Sequence, residues 1–117
     1  MDARPALGRA GEDLAADLYR RLGFVVVGRN YRCAHGEIDL VARRGRTLVF
    51  CEVKTRTTDR WGQPSEAVGA VKQARLRRLA AHWLGECRPG PVQVRFDVVS
   101  VIVRGARTEV THIPDAF

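Results

Sequence analysis

Two apolar segments on either side of a short basic turn constrain this chain more than any other feature. Residues 37–43 and 47–55 flank Arg44, Gly45 and Arg46, and a glycine in so short a connection suits a hairpin. We therefore expect two antiparallel neighbouring strands. The second segment is apolar on both faces up to Glu52, which is typical of a central strand that is covered on each side.

The remaining periodicity predicts two helices and three more strands. Apolar residues at helical spacing predict helices over residues 7–22 and 71–86. Strands are predicted over 24–27, 92–103 and 108–113, with polar loops over 28–36 and 56–65. A strand–helix–strand connection favours parallel neighbours. The prediction is a single α/β domain over residues 1–117, a mixed β-sheet flanked by helices in the order α-β-β-β-α-β-β.

The charge balance indicates a polyanionic partner. Twenty Lys and Arg against 13 Asp and Glu give a net charge of +7, which favours nucleic acid. No apolar stretch approaches the roughly 18 residues of a membrane span. The first residues also lack the apolar core of a signal peptide, so we expect a cytoplasmic protein with no membrane partner.

The cysteines and histidines carry no recognisable metal or redox motif. The three cysteines form no CxxC pair, and Cys51 lies in an apolar run, so we expect a buried free thiol. His35, His82 and His112 have no partners at the spacing of zinc ligands or of a nucleophile and its base. We therefore expect ordinary surface histidines, with His35 and His112 isolated and His82 on the second helix.

Two carboxylates on the predicted hairpin are the strongest candidates for chemistry. Reflection about Gly45 pairs residues whose numbers sum to about 90, which sets Asp39 opposite Cys51 and Glu52. Converging carboxylates repel each other unless a cation lies between them, and such ligands suit Mg²⁺ or Mn²⁺. Lys54 projects to the same side as Glu52, where it can orient water or stabilise charge on a phosphate. This combination suits hydrolysis of phosphodiesters.

A structural interpretation of the same residues is a surface ion pair between Glu52 and Lys54, with Asp39 solvated at a strand end. A bare Glu-x-Lys triplet would favour that interpretation. Here the charges end two hydrophobic strands, which favours a functional site.

The motifs around these residues resemble a known family. Residues 36–42 (GEIDLVA) and 49–56 (VFCEVKTR) resemble the YraN-like family of uncharacterised bacterial proteins, and the likeness covers nearly the whole chain. Residues 8–15, 30–32, 66–68 with Lys72, and 95–99 support it. That family looks like a minimal PD-(D/E)XK nuclease domain, similar to archaeal Holliday junction resolvases and the restriction-endonuclease-like superfamily. The fold that this resemblance implies agrees with the predicted strand order.

The resemblance also implies roles for individual residues. Asp39, Glu52 and Lys54 match the catalytic motif, with Ile38 in place of its proline. The main-chain carbonyl of Val53 would join Asp39 and Glu52 as a metal ligand.

Two further carboxylates remain open between functional and structural roles. Glu12 would be the carboxylate that such resolvases bring from the first helix. It can also be read as an acid in the first turn of a helix, stabilised by the helix dipole. Glu37 shares a face with Asp39 and is expected either to support the metal ligands or to be solvated.

Basic and aromatic residues suggest a surface for nucleic acid. In the predicted loop over 56–65, Trp61 would stack on a base or pack onto its own domain. Lys72 and Gln73 extend the buried stripe of the second helix toward the site. A lysine that only buries its aliphatic stem and keeps its charge in solvent would give the same sequence pattern. No segment resembles a recognition helix, so we expect contacts to the backbone of the nucleic acid. The candidate contacts are Arg43, Arg44, Arg46, Arg56, Arg60, Trp61, Lys72 and Gln73.

These inferences predict a Mg²⁺-dependent nuclease that hydrolyses DNA, with a preference for branched or flapped substrates and Mn²⁺ as a substitute ion. A cutter of symmetric junctions needs two sites and hence a homodimer. The alternatives are a non-catalytic nucleic-acid-binding accessory protein with a nuclease-like fold, and a protein-interaction module whose charge only promotes solubility.

Overall fold

Five strands form one mixed sheet, and two helices cover its opposite faces. The computed structural model describes residues 4–57 and 68–117. The order α-β-β-β-α-β-β is the predicted one. The elements are α1 (Arg4–Arg21), β1 (Val25–Cys33), β2 (Gly36–Arg44), β3 (Thr47–Thr57), α2 (Ala70–Cys87), β4 (Gln93–Arg104) and β5 (Arg107–Ile113).

The strands lie side by side in chain order, β1-β2-β3-β4-β5, so β3 is central. Neighbours are antiparallel except β3 and β4, which are parallel and connected through α2 as predicted. The hairpin between β2 and β3 pairs Leu40 with Cys51, one residue from the predicted register. The predicted turn and its two antiparallel strands are therefore confirmed.

Each helix covers its own apolar layer on the sheet. Leu48 and Phe50 of β3 pack with the buried face of α2 around Trp83. Val49 and Cys51 pack in the other layer with Tyr19 of α1. Alternation along β3 thus points successive side chains to opposite helices, as the sequence predicts, and Cys51 is a buried free thiol.

The first strand is longer than the sequence indicates. The predicted strand over 24–27 with a loop over 28–36 is wrong, because β1 pairs with β2 from Val25 through Cys33. This edge strand has exposed positions along its whole length, so its polar residues do not interrupt pairing. Asn30 has a left-handed backbone (φ 54°), and the strand alternation shifts phase beside it.

The predicted loop over 56–65 also starts too early, since Arg56 and Thr57 still belong to β3 and pair with β4. Arg60 and Trp61 lie outside the described residues. Among the described segments, neither helix is long and apolar enough to cross a membrane.

A buried carboxylate joins α1, β4, β5 and the C-terminal residues. Asp97 accepts hydrogen bonds from the Tyr19 hydroxyl (2.6 Å), from Arg95 through two nitrogens (2.8 and 2.9 Å), and from the Asp115 backbone (2.9 Å). His112 Nε2 lies 2.8 Å from the same carboxylate. The sequence prediction of an isolated surface His112 is wrong, because the fold brings it to a partner 15 residues away.

Candidate functional site

Three carboxylates from α1 and β2 meet at one end of the sheet. One oxygen each from Glu12, Glu37 and Asp39 lies within 4.8 Å of the other two, and all three side chains are half-buried. The two β2 residues are separated by one residue and point to the α1 side of the sheet. The sequence predicted Glu37 and Asp39 on one strand face, and the family resemblance implied Glu12 on the first helix. The packing of α1 brings the three together.

The close approach of α1 to β3 brings Glu12 into this cluster. Gly11 is buried, and a β-carbon at its position would fall inside the Thr55 side chain, 3.0 Å from the Thr55 β-carbon. The absence of a side chain at Gly11 thus permits the contact, and the next residue along α1 faces the β2 carboxylates. The buried Thr55 hydroxyl has no hydrogen-bond partner among the described residues.

This contact predicts that Gly11→Ala destabilises the protein. The added methyl group overpacks the interface between α1 and β3, and we expect a loss of about 1–3 kcal/mol in the free energy of unfolding. Urea denaturation measures it. Gly8→Ala in the same helix is the matched control, because nothing lies within 4 Å of its added β-carbon, and it should be neutral or mildly stabilising. Equal stability of the two variants would contradict the role given to Gly11.

Asp39 occupies a fork between β2 and β3. Its Oδ2 accepts a hydrogen bond from the Val53 backbone N–H at 2.8 Å, beyond the last β2–β3 pair, Leu40 with Cys51. Leu40 packs with α1, and Asp39 also lies on the α1 side, so strand alternation breaks between these two residues. The carboxylate thus replaces a backbone acceptor where the two strands part.

Burial raises the pKa of Asp39 to about 7, although the hydrogen bond from Val53 opposes this rise. The charges of Glu52, Glu12 and Glu37 raise it further, in that order. The three glutamates therefore act on Asp39 across the fork. A cation placed among them relieves both the repulsion and the cost of burial.

Glu52 and Lys54 lie on the opposite face of β3 from Val53, toward α2. Lys72, in the first turn of α2, forms an ion pair of 2.9 Å with Glu52, whose side chain is 15% exposed. Gln73 donates to the Val68 carbonyl at 2.7 Å and so ties the start of α2 to the preceding residues. Lys72 thus reaches Glu52, and its contact with nucleic acid stays a prediction.

The basic hairpin turn lies at the other end of the sheet. Arg43 donates to the Pro89 carbonyl at 2.9 Å, and Arg44 donates to the Leu22 carbonyl at 2.7 Å. Glu52 lies six positions after Arg46, about 20 Å away at the usual rise of about 3.3 Å per residue. A nucleic acid held at the carboxylates contacts this turn only if it extends along the sheet.

The carboxylate cluster opens into a pocket of about 420 Å³ between α1, β1 and β2. Arg9, Asn30 and Arg32 line it together with the three acids. Their residue types and spacing in the sequence indicated no role for them. All three fall in segments that carry the family resemblance, residues 8–15 and 30–32, and this was the one signal in the sequence that pointed to them.

The donor set fits a small hard cation. Carboxylate oxygens are the ligands that Mg²⁺ and Mn²⁺ take, and three of them within 4.8 Å need only small side-chain adjustments to share one ion. Glu12, Glu37 and Asp39 form this set directly. Glu52 is not part of this set, because it points toward α2 and pairs with Lys72, and it acts on Asp39 through its charge.

Comparison with known proteins identifies the family of this chain. Residues 11–101 match the family described as Uncharacterised protein family UPF0102. A UPF0102 protein of Streptomyces griseus is 57% identical over 109 residues, covering 91% of this chain and 92% of that relative. Relatives from Syntrophotalea carbinolica (50% identity, 97% of this chain and 93% of the relative) and Frankia casuarinae (49%, 100% of both) carry the same family name. The chain belongs to the UPF0102 family, the YraN-like family that its motifs indicated.

Proposed function

We propose that this protein is a metal-dependent nuclease that hydrolyses phosphodiester bonds of DNA, with Mg²⁺ as the natural ion and Mn²⁺ as a substitute. The observation that carries the proposal is the carboxylate cluster of Glu12, Glu37 and Asp39, with Glu52 and Lys54 on the adjoining strand. The net charge of +7 over the whole chain supports a polyanionic substrate. The resemblance to PD-(D/E)XK nucleases agrees with this assignment.

In this mechanism each residue has a distinct task. Glu12, Glu37 and Asp39 would hold the ion, and Glu52 would join them across the fork. The ion supplies Lewis-acid activation of a phosphate oxygen and of water. The Val53 N–H keeps the Asp39 carboxylate oriented. Lys54, two residues beyond Glu52 on the same strand face, stabilises the charge that develops on the phosphate.

The test is cleavage of labelled linear, flapped and four-way DNA in Mg²⁺ or Mn²⁺, with a chelator as the metal-free reference. We expect metal-dependent cutting, and a loss of about 100- to 1,000-fold in Lys54→Met because one charge-stabilising group is removed. Glu52→Gln should lose activity as well. Glu109→Gln, an exposed glutamate on β5, is the matched control and should cut normally. If branched substrates are cut faster than linear ones, the result also supports a structure-selective nuclease.

The competing function is a nucleic-acid-binding accessory protein without hydrolysis. The basic composition favours it equally, since net charge speaks for binding and not for catalysis. DNA binding by a folded protein that cuts no substrate in either metal would contradict the nuclease proposal and support this one. Sedimentation with four-way DNA tests whether a homodimer forms on a symmetric junction.

A further inference from the structure

The pocket beside the carboxylates has two chemically different walls. Its acidic wall is the cluster of Glu12, Glu37 and Asp39 already described. The other lining residues include Arg9, Arg32 and Asn30. The cavity thus combines carboxylate acceptors that suit a cation with residues whose side chains can donate to an anion.

The two arginines are available to a ligand. Arg9 is exposed on α1, and the Arg32 side chain is 75% exposed and 3.4 Å from Glu37. An ion pair that long and that exposed contributes little to stability, so an incoming anion can take Arg32 at small cost. By contrast, Arg29 on the same strand forms a shorter ion pair, 2.7 Å from Asp13, and is not among the residues that line the pocket.

The backbone conformation of Asn30 is a second observation that favours a ligand at this wall. Its left-handed conformation (φ 54°) is one that residues other than glycine seldom adopt, and Asn is among those that tolerate it best. Sparsely populated conformations of this kind concentrate at binding sites. Here the conformation coincides with a shift in the strand's burial alternation, and both Asn30 and Arg32 line the pocket.

Phosphate is the anion that fits both walls, because its oxygens accept bonds from guanidinium and amide groups while others bind a metal ion. The volume of about 420 Å³ lies within the range of small-molecule pockets, on the scale of one nucleotide. A base-paired duplex is far wider than such a cavity. An unpaired nucleotide therefore suits this cavity better than a duplex does.

We propose that Arg9, Asn30 and Arg32 form a phosphate-binding subsite that receives one nucleotide of a single-stranded DNA segment beside the carboxylate cluster. This inference rests on the proposed function and specifies its substrate: a flap, an open branch or a strand end. Arg9 of α1 and the two β1 residues hold the phosphate. The scissile bond then lies toward Asp39 and β3.

Calorimetric titration with thymidine 5′-monophosphate in Ca²⁺ tests the subsite without any cleavage. We expect binding by the native chain and a loss of about tenfold for each of Arg9→Gln and Arg32→Gln, since each removes a charge-assisted hydrogen bond. Arg29→Gln is the matched control and should bind normally. Unchanged affinity in the double variant Arg9→Gln with Arg32→Gln would overturn the proposal.

A cleavage assay separates this inference from the function it rests on. The subsite predicts that single-stranded and flapped DNA are cut faster than blunt duplex, and that Arg9→Gln and Arg32→Gln reduce this difference. Metal-dependent cutting with equal rates on blunt duplex and flap would overturn the subsite and leave the nuclease standing. Nucleotide binding that depends on Arg9 and Arg32, without any cutting, would uphold the subsite and overturn the nuclease.

Discussion

Asp39→Asn should abolish cleavage while leaving the protein folded and, in the absence of metal, more stable. Asn keeps an oxygen to accept from the Val53 N–H but removes the charge that burial and the neighbouring carboxylates disfavour. Loss of supporting residues around a metal costs about 10- to 100-fold in affinity, so loss of this ligand should cost at least about 100-fold. Titration calorimetry with Mn²⁺ measures the affinity.

The stability of the same variant should change in the opposite direction. Burial and three neighbouring carboxylates disfavour the charged form of Asp39, so its removal lowers the cost of folding without metal. Each kcal/mol gained raises the melting temperature by about 4 °C in a domain of this size. Asp17→Asn, an exposed aspartate paired with Arg20 on α1, is the control and should change neither quantity. A variant that binds Mn²⁺ like the native chain would contradict the assignment of Asp39 as a ligand.

Asp97→Ala should lower the free energy of unfolding by about 3–5 kcal/mol, more than the overpacking of Gly11→Ala does. The substitution leaves the Arg95 guanidinium, the Tyr19 hydroxyl and the Asp115 N–H without their acceptor at a site where the aspartate side chain is fully buried. Urea denaturation at pH 7 measures the loss. Asp115→Asn is the matched control, because only its backbone bonds to Asp97 and Asn tolerates its left-handed conformation. A loss below about 1 kcal/mol would show that the network is dispensable.

The pH dependence of stability follows from the same network. Burial raises the pKa of Asp97, but the hydrogen bonds from Arg95, Tyr19 and His112 and from the Asp115 backbone outweigh it and hold the pKa below its usual value. A carboxyl with a lowered folded-state pKa stabilises fully above its unfolded pKa of about 4 and loses that contribution as pH falls through the folded value. Native stability should therefore drop below about pH 4, and the Asp97→Asn variant should show a shallower drop. Parallel pH profiles would contradict this.

The sequence by itself predicted most of the fold because local patterns carry that information. The turn at Gly45 set the hairpin register to within one residue, and alternation along β3 assigned Val49 and Phe50 to opposite layers. The connection through α2 made β3 and β4 parallel, as a strand–helix–strand connection favours. The extension of β1 to Cys33 was missed because an edge strand pairs through its backbone, whatever its exposed side chains are.

The sequence also determined which residues are the candidates for chemistry. Asp39, Glu52 and Lys54 stand out because burying charges at the ends of apolar strands is costly, and a functional site explains it. Only the tertiary structure decided which groups meet them. Glu12 reaches Asp39 because Gly11 lets α1 pack against Thr55, and Lys72 reaches Glu52 because α2 begins beside β3. Such contacts join residues that are distant in the chain, and their distances depend on how closely a helix packs on the sheet, which periodicity does not record.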